Sequence, residues 1–310
     1  MSVESLEGRQ PTSKDQLGFF WMYLAVNKCN PNEITTMLVE QISQSNCQWF
    51  ALLDRAFDYE GKSLTFASHD EIIYQSKELD GLFDVSPVLI HLDASTQTQL
   101  SAQLKKLVQH CSGRPMLSFI QTELSAKELN QQWQNYLWVE TQDNDRFLLR
   151  FADCRTLAIL GQVTPHSIWP GLTKKISQWK IINREGQIES LPIPAKEILP
   201  PEKIKLTNAE YSALLELTQV DAIIDWISEN MPELAPKEKK MDFYRQVEQA
   251  CHLASQENVR SFPDQVSLAI AAILSQTKLL DNQVLKFALR QGVSGNDLNR
   301  VIVDLMVTID

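Results

Sequence analysis

Glycine is scarce in this chain: 10 of 310 residues, about 3% where ~7% is ordinary. That counts against glycine-rich phosphate cradles, collagen and glycine-punctuated repeats. Neither G-x-x-x-x-G-K-[ST] nor G-x-G-x-x-G occurs, nor H-E-x-x-H or G-x-S-x-G. The common nucleotide-binding, zinc-protease and serine-hydrolase readings therefore have no sequence support, although an enzyme without a known motif is still allowed. Positive charge is also short. Lys plus Arg is 29 against 39 Asp plus Glu, a formal charge of −10. A nucleic-acid binder needs a basic face to neutralise phosphates, whereas here the basic residues are scattered and the densest run is Lys237-Glu238-Lys239-Lys240. No nucleic-acid partner is expected. Long apolar runs are missing too. Val266 to Leu274 is the longest nearly continuous one, far below the ~20 residues of a membrane helix. The first residues, Met1 to Glu7, have neither a basic nor an apolar region, so they do not read as a signal peptide. These features predict a soluble cytoplasmic protein with no membrane partner.

Cysteine is sparse and unpatterned. Cys29, Cys47, Cys111, Cys154 and Cys251 are odd in number, contain no C-x-x-C and sit among apolar residues. They read as buried reduced thiols in a reducing compartment. The five histidines, His69, His91, His110, His166 and His252, form no pair at metal-ligand spacing. His69-Asp70-Glu71 groups three possible ligands, but adjacent side chains diverge, so a solvated turn is the better account. A Cys154–His166 dyad is formally possible, yet Cys154 reads more simply as a small buried hydrophobe. No metal and no cofactor are expected.

What is present is enough for about two domains. Hydrophobic residues are 44% and charged residues 22%, as in ordinary globular proteins. From Trp49 to Leu191 short apolar runs alternate with helical periods. Trp49–Leu53, Val88–Leu92 and Met116–Ile120 are strand candidates. Tyr136–Val139 and Phe147–Phe151 predict a hairpin around Gln142-Asp143-Asn144-Asp145, and Ile176–Ile182 with Gln187–Leu191 a second around Asn183-Arg184-Glu185-Gly186. Leu100, Leu104, Leu107 and Val108 mark a helix, and Ser125-x-x-Glu128 opens another as a capping box. Asn30-Pro31 opens an earlier helix with Ile34, Leu38 and Ile42 on one face. The preceding run Phe19 to Leu24 reads as a core-packed helix or an exposed docking patch.

Four prolines, Pro192, Pro194, Pro200 and Pro201, then break the pattern and read as a linker. Beyond it strand signals vanish. Thr207-x-x-Glu210 is a second capping box, and the spacings through Val220–Ile227, Phe243–Ala254, Val266–Leu274, Val284–Leu289 (capped by Asp281) and Leu298–Met306 predict five or six helices. The expected fold class is an α/β N-terminal lobe, a mixed sheet with helices, plus an all-α C-terminal lobe. The expected division is an N-terminal helical extension over 1–45, the α/β domain over 46–192, the proline-rich linker over 193–206 and the helical lobe over 207–310.

The densest charged group is Arg150-Phe151-Ala152-Asp153-Cys154-Arg155, where a strand passes into a helix. Asp153 suits a helix cap, and Arg150 and Arg155 can fork to Asp153 or Asp54. A buried ion-pair knot is the favoured reading. The alternative is an α/β enzyme with a polar site around Asp54, Arg150, Asp153 and Arg155 at the carboxyl ends of the strands.

Four stretches carry a resemblance: Phe50-Ala51-Leu52-Leu53-Asp54-Arg55-Ala56; Gly81 to Ile90 with Pro87 before the strand; Leu149 to Leu157, an R-F-x-D-x-R-x-L pattern; and Ile176-Ser177-Gln178-Trp179. Over about residues 46 to 190 the chain resembles the type VI secretion adaptor and effector-chaperone family, the domain-of-unknown-function family numbered 4123. One departure is that the Gly-Pro usually found before the tryptophan is absent; Gly161-Gln162-Val163-Thr164-Pro165 and Pro170-Gly171 stand there instead. The resemblance implies a non-catalytic cytoplasmic adaptor. Its partners would be a secreted effector toxin and the VgrG spike protein, onto whose tip the toxin is loaded. It also implies that Asp54, Pro87, Arg150, Asp153, Arg155 and Trp179 are family-motif residues of structural rather than catalytic use. An effector segment would lie between the lobes, held by aromatic anchors; Trp21, Trp169 and Trp226 are the first candidates, with core packing the favoured reading of each.

Overall fold

The computed structural model describes residues 23–58, 64, 70–194 and 204–308. The candidate Trp21, most of the Phe19–Leu24 run, His69, Pro200 and Pro201 lie outside them. The strands of the main sheet are β1 (Gln48–Leu53), β2 (Glu71–Ile72), β3 (Val88–His91), β4 (Leu117–Thr122), β7 (Ile176–Ile182) and β8 (Ile188–Ser190). Their order is β2-β3-β1-β4-β7-β8. A separate hairpin joins β5 (Trp138–Glu140) to β6 (Arg146–Leu148).

The α/β lobe followed by a helical lobe is as expected, but the sheet is not mixed: every paired ladder is antiparallel. The strand–helix–strand unit that suggested parallel pairing does exist. β3 and β4 run the same way, joined by α2 (Gln97–Cys111), but β1 lies between them and pairs with both. The continuous apolar runs have a second cause. Both faces of this sheet are covered, so strand residues alternate between two cores instead of between core and water. Phe50, Leu52, Leu89, Ile120, Trp179 and Ile181 enter one core. Trp49, Ala51, Leu53, Val88, Ile90, Phe119 and Ile182 enter the other.

The second core is roofed by α2 and by α1 (Pro31–Ser43), which pack on each other. Asn30 caps α1 by accepting from the Asn32 and Glu33 amides. This helix, placed by sequence in an N-terminal extension, is thus part of the α/β lobe. The first core is roofed by α3 (Ala126–Gln134), with the Ser125–Glu128 capping box formed in both directions, by α4 (Cys154–Val163) and by the short α5 (Trp169–Leu172). At its centre Trp179 is sandwiched between Trp133 and Trp169, at ring separations of 5.6 and 5.8 Å. Pro170-Gly171 lies within α5. Gly171 faces the Tyr136 hydroxyl so closely that a Cβ there would lie 1.7 Å from it.

Of the linker, residues 195–203 lie outside the described set. The chain re-enters beside β5, with Glu140 bonded to Ile204 and Leu206, and Leu206 is fully buried in the first core. The Thr207–Glu210 capping box then opens α6 (Asn208–Asn230), followed by α7 (Lys240–Gln256), α8 (Phe262–Leu274), α9 (Gln283–Arg290) and α10 (Gly295–Met306). The small residues of α8, Ala269 and Ala272, let neighbouring helices close over it. Asp281 does not cap α9. It ends a 3-10 turn and pairs with Lys286, while Asn282 accepts from the Val284 and Leu285 amides.

The two lobes share one strap, residues 23 to 29. Leu24 and Val26 are buried in the second core of the α/β lobe. Ala25 between them is buried in the helical lobe. Tyr23 donates to the Pro236 carbonyl at 2.7 Å and meets Phe243 edge-on.

Candidate functional site

The charged motif begins where β1 ends. Asp54 stops the strand by capping a 3-10 turn, its Oδ1 accepting from the Ala56 amide at 3.0 Å. Its Oδ2 accepts from Arg150 Nη2 at 2.9 Å. Asp54 is 1% exposed, and burial raises its carboxyl above the usual range although Arg150 pulls it down. Asp153 caps α4 by accepting from the Arg155 amide, and its carboxylate also holds the Arg155 guanidinium through Nε and Nη2. Burial works against the Arg155 charge, but the Asp153 hydrogen bond and charge outweigh it, and its pKa ends above the ordinary value. Between the two arginines lies the buried ring of Phe57, 5.2 Å from Arg150 and 5.3 Å from Arg155. Pro87 stands between Ser86 and β3, and its carbonyl accepts from Ile73. Trp179 donates from Nε1 to Ser118 Oγ.

The four charged groups pair with one another, Asp54 with Arg150 and Asp153 with Arg155. Cys154 is equally committed: its thiol donates to the Leu117 carbonyl at 3.2 Å, and burial pushes its pKa well up. Cys29 and Cys111 are also buried, whereas Cys47 and Cys251 are half-buried, short of the expected full burial. Glu71 opens β2 rather than sitting in a solvated turn. Among the described residues no group of three His, Cys, Asp or Glu side chains is placed to hold a metal ion.

The last arginine of the motif reaches the other lobe. Arg155 lies 3.7 Å from Asp221 of α6, which also takes Arg184 from the β7–β8 turn. Arg184 stacks over Tyr244 of α7 at 4.4 Å, and its carbonyl accepts from Asn27 of the strap. Glu185 pairs with Arg245. The turn is therefore the wedge on which the lobes meet. Gly186 allows it: at φ +81°, a Cβ would lie 2.8 Å from the Lys28 carbonyl. Gly186→Ala is expected to push strap and turn apart and to cost about 1–3 kcal/mol, read as a lower thermal midpoint with faster proteolysis ahead of Asn30.

Two clefts flank this wedge, and Glu185 borders both. One, of about 580 Å³, is acidic: Asp153, Glu189, Asp221, Asp225 and Glu248 face Arg155 and Arg184. Burial pushes Asp225 up to about 6. The other, of about 1160 Å³, is basic, lined by Lys28, Arg114, Lys237, Lys239 and Lys240. Of the aromatic candidates, Trp169 is not available to a partner. It is 2% exposed, its Nε1 donates to the Pro192 carbonyl, and it serves the core stack. Trp226, on α6, is 37% exposed. Sequence reasoning missed Arg184, Asp221 and Tyr244, whose partners are far apart in the chain. The only signal was the turn itself, which placed Arg184 at a tip.

No helix among the described residues is long and apolar enough to cross a membrane. No curated protein matches the chain, and no solved structure does. Three of the four stretches noted in the sequence, at 50–56, 81–90 and 149–157, fall inside a match to a known family model, while Trp179 and the helical lobe fall outside it. Residues 49–167 of the α/β lobe match the family described as a domain of unknown function, DUF4123.

Proposed function

We propose that this chain is a non-catalytic adaptor that holds a secreted effector protein and helps load it onto the VgrG spike of a type VI secretion apparatus, working from the cytoplasm. The resemblance of its motif stretches to that adaptor family supplies the partner class. The observation that carries the reading is how the motif's charges are used. Asp54 is paired with Arg150 and Asp153 with Arg155, and Arg155 also reaches Asp221 across the lobes, so the motif builds the junction at which the two inter-lobe clefts open. A protein that must release its cargo is suited to clefts of this size more than to an extended apolar seal.

The test is made in the native host. Deleting the gene is expected to abolish secretion of one toxin while the apparatus still exports its other components. The tagged chain is expected to retain that same toxin-bearing polypeptide on purification. Unchanged secretion of every effector, with no such polypeptide retained from cells that express the apparatus, would overturn the reading.

A further inference from the structure

In a chain with a formal charge of −10, the larger cleft inverts the sign. Five cationic side chains line it against two carboxylates, Glu185 and Glu238. Glu185 is already engaged by Arg245, and Arg114 is partly neutralised by Asp58 at 3.5 Å. Among the described residues Lys28, Lys237 and Lys239 have no ion-pair partner, and all three are exposed. They come from two elements that line the cleft: Lys28 from the strap, the other two from the segment leading into α7. Like charges gathered in one cleft repel one another, so the arrangement is more favourable with an anion among them.

We propose that this cleft seats an acidic peptide segment of a partner protein. The proposal rests on the adaptor reading in that it names the chemistry of the segment such a protein would hold. The space of about 1160 Å³ is far larger than a single carboxylate or phosphate needs. Its walls also carry apolar groups, Tyr23, Leu24, Val26 and Pro232, which suit a polypeptide with interleaved acidic and apolar side chains. A continuous phosphate backbone fits less well, because the acidic cleft begins on the other side of the Glu185 turn.

The probe is a short fluorescent peptide alternating glutamate with leucine, titrated into the full chain and followed by anisotropy. Binding is expected, weakening as salt is raised and lost when glutamine replaces glutamate. The triple variant Lys28→Glu, Lys237→Glu, Lys239→Glu is expected to bind on the order of tenfold or more weakly with unchanged circular dichroism and thermal midpoint, since all three side chains are exposed. Equal binding by the triple variant, no binding by the wild-type chain, or tighter binding of a single-stranded oligonucleotide of equal charge would each overturn the proposal. The effector-capture experiment separates the two readings. Capture that survives the triple substitution removes the cleft assignment and leaves the adaptor standing. Salt-sensitive, cleft-dependent peptide binding by a chain that captures no effector removes the adaptor and leaves the cleft.

Discussion

Trp179→Ala is expected to destabilise the α/β lobe by about 3–5 kcal/mol, the range for emptying a buried tryptophan site. Trp179 is 1% exposed and is flanked on both faces by tryptophans, so its removal strips a stacking partner from Trp133 and from Trp169 together. It also leaves Ser118 Oγ, the acceptor of its indole N–H, without that bond. Neighbours in a sheet that is covered on both sides have little freedom to collapse into the void. Urea unfolding followed by far-UV circular dichroism reads the effect as a fall in midpoint, with the slope of the α/β transition unchanged. Trp226→Ala, at a part-exposed position on α6, serves as the comparison and is expected to cost no more than ~1 kcal/mol. A loss below ~1 kcal/mol at Trp179 would contradict the stacked core.

The second large effect is expected at Asp153. Asp153→Ala removes the cap of α4 and the partner of a guanidinium that is only 15% exposed. Losing the main partner of a buried charge costs up to about 3–5 kcal/mol, against ~1 kcal/mol for a lost cap alone, and Asp221 at 3.7 Å keeps the loss toward the lower end of that range. Asp153→Asn keeps a capping oxygen and an acceptor for Arg155, so it is expected to cost less. Adding Arg155→Met to Asp153→Ala is expected to recover part of the loss, because the poorly compensated charge, held then only by the 3.7 Å contact to Asp221, is gone. The double variant also removes the Arg155 contact to Asp221, so the recovery should be incomplete. Equal stabilities for the Ala and Asn variants, or a double variant worse than the sum of the two single ones, would refute the knot as described.

Much of this fold was legible because local chemistry wrote it. Apolar strand runs bounded by polar residues gave β1, β3, β4 and β7 close to their ends. Two serine or threonine boxes marked the starts of α3 and α6. The direction of strand pairing was not legible, since a run buried on both faces looks the same in either sense. Trp169 could be read either as core or as a partner anchor, and it proves to be core; an aromatic near a proline-glycine turn carries no local sign of the tryptophan stack that buries it. The cap of α9 slipped by one residue, from Asp281 to Asn282, where two capping types stand side by side. Within the candidate site Asp54–Arg150 and Asp153–Arg155 were foreseeable from a motif crowded with opposite charges. The wedge of Arg184, Asp221 and Tyr244 was not, for it joins residues 37 and 60 positions apart and no short pattern encodes such a meeting.

The strap ties the order of synthesis to completion of the fold. Ala25 is synthesised before every other buried residue of the core that encloses it, which spans positions 220 to 302. Leu24 and Val26 find their places once the sheet is formed, and Ala25 then waits on a half-docked segment until position 302 has emerged. The strap can close on both sides only when the helical lobe is in place. Its docking, seen as protection of the 23–29 amides from exchange, therefore reports that both lobes are present and joined.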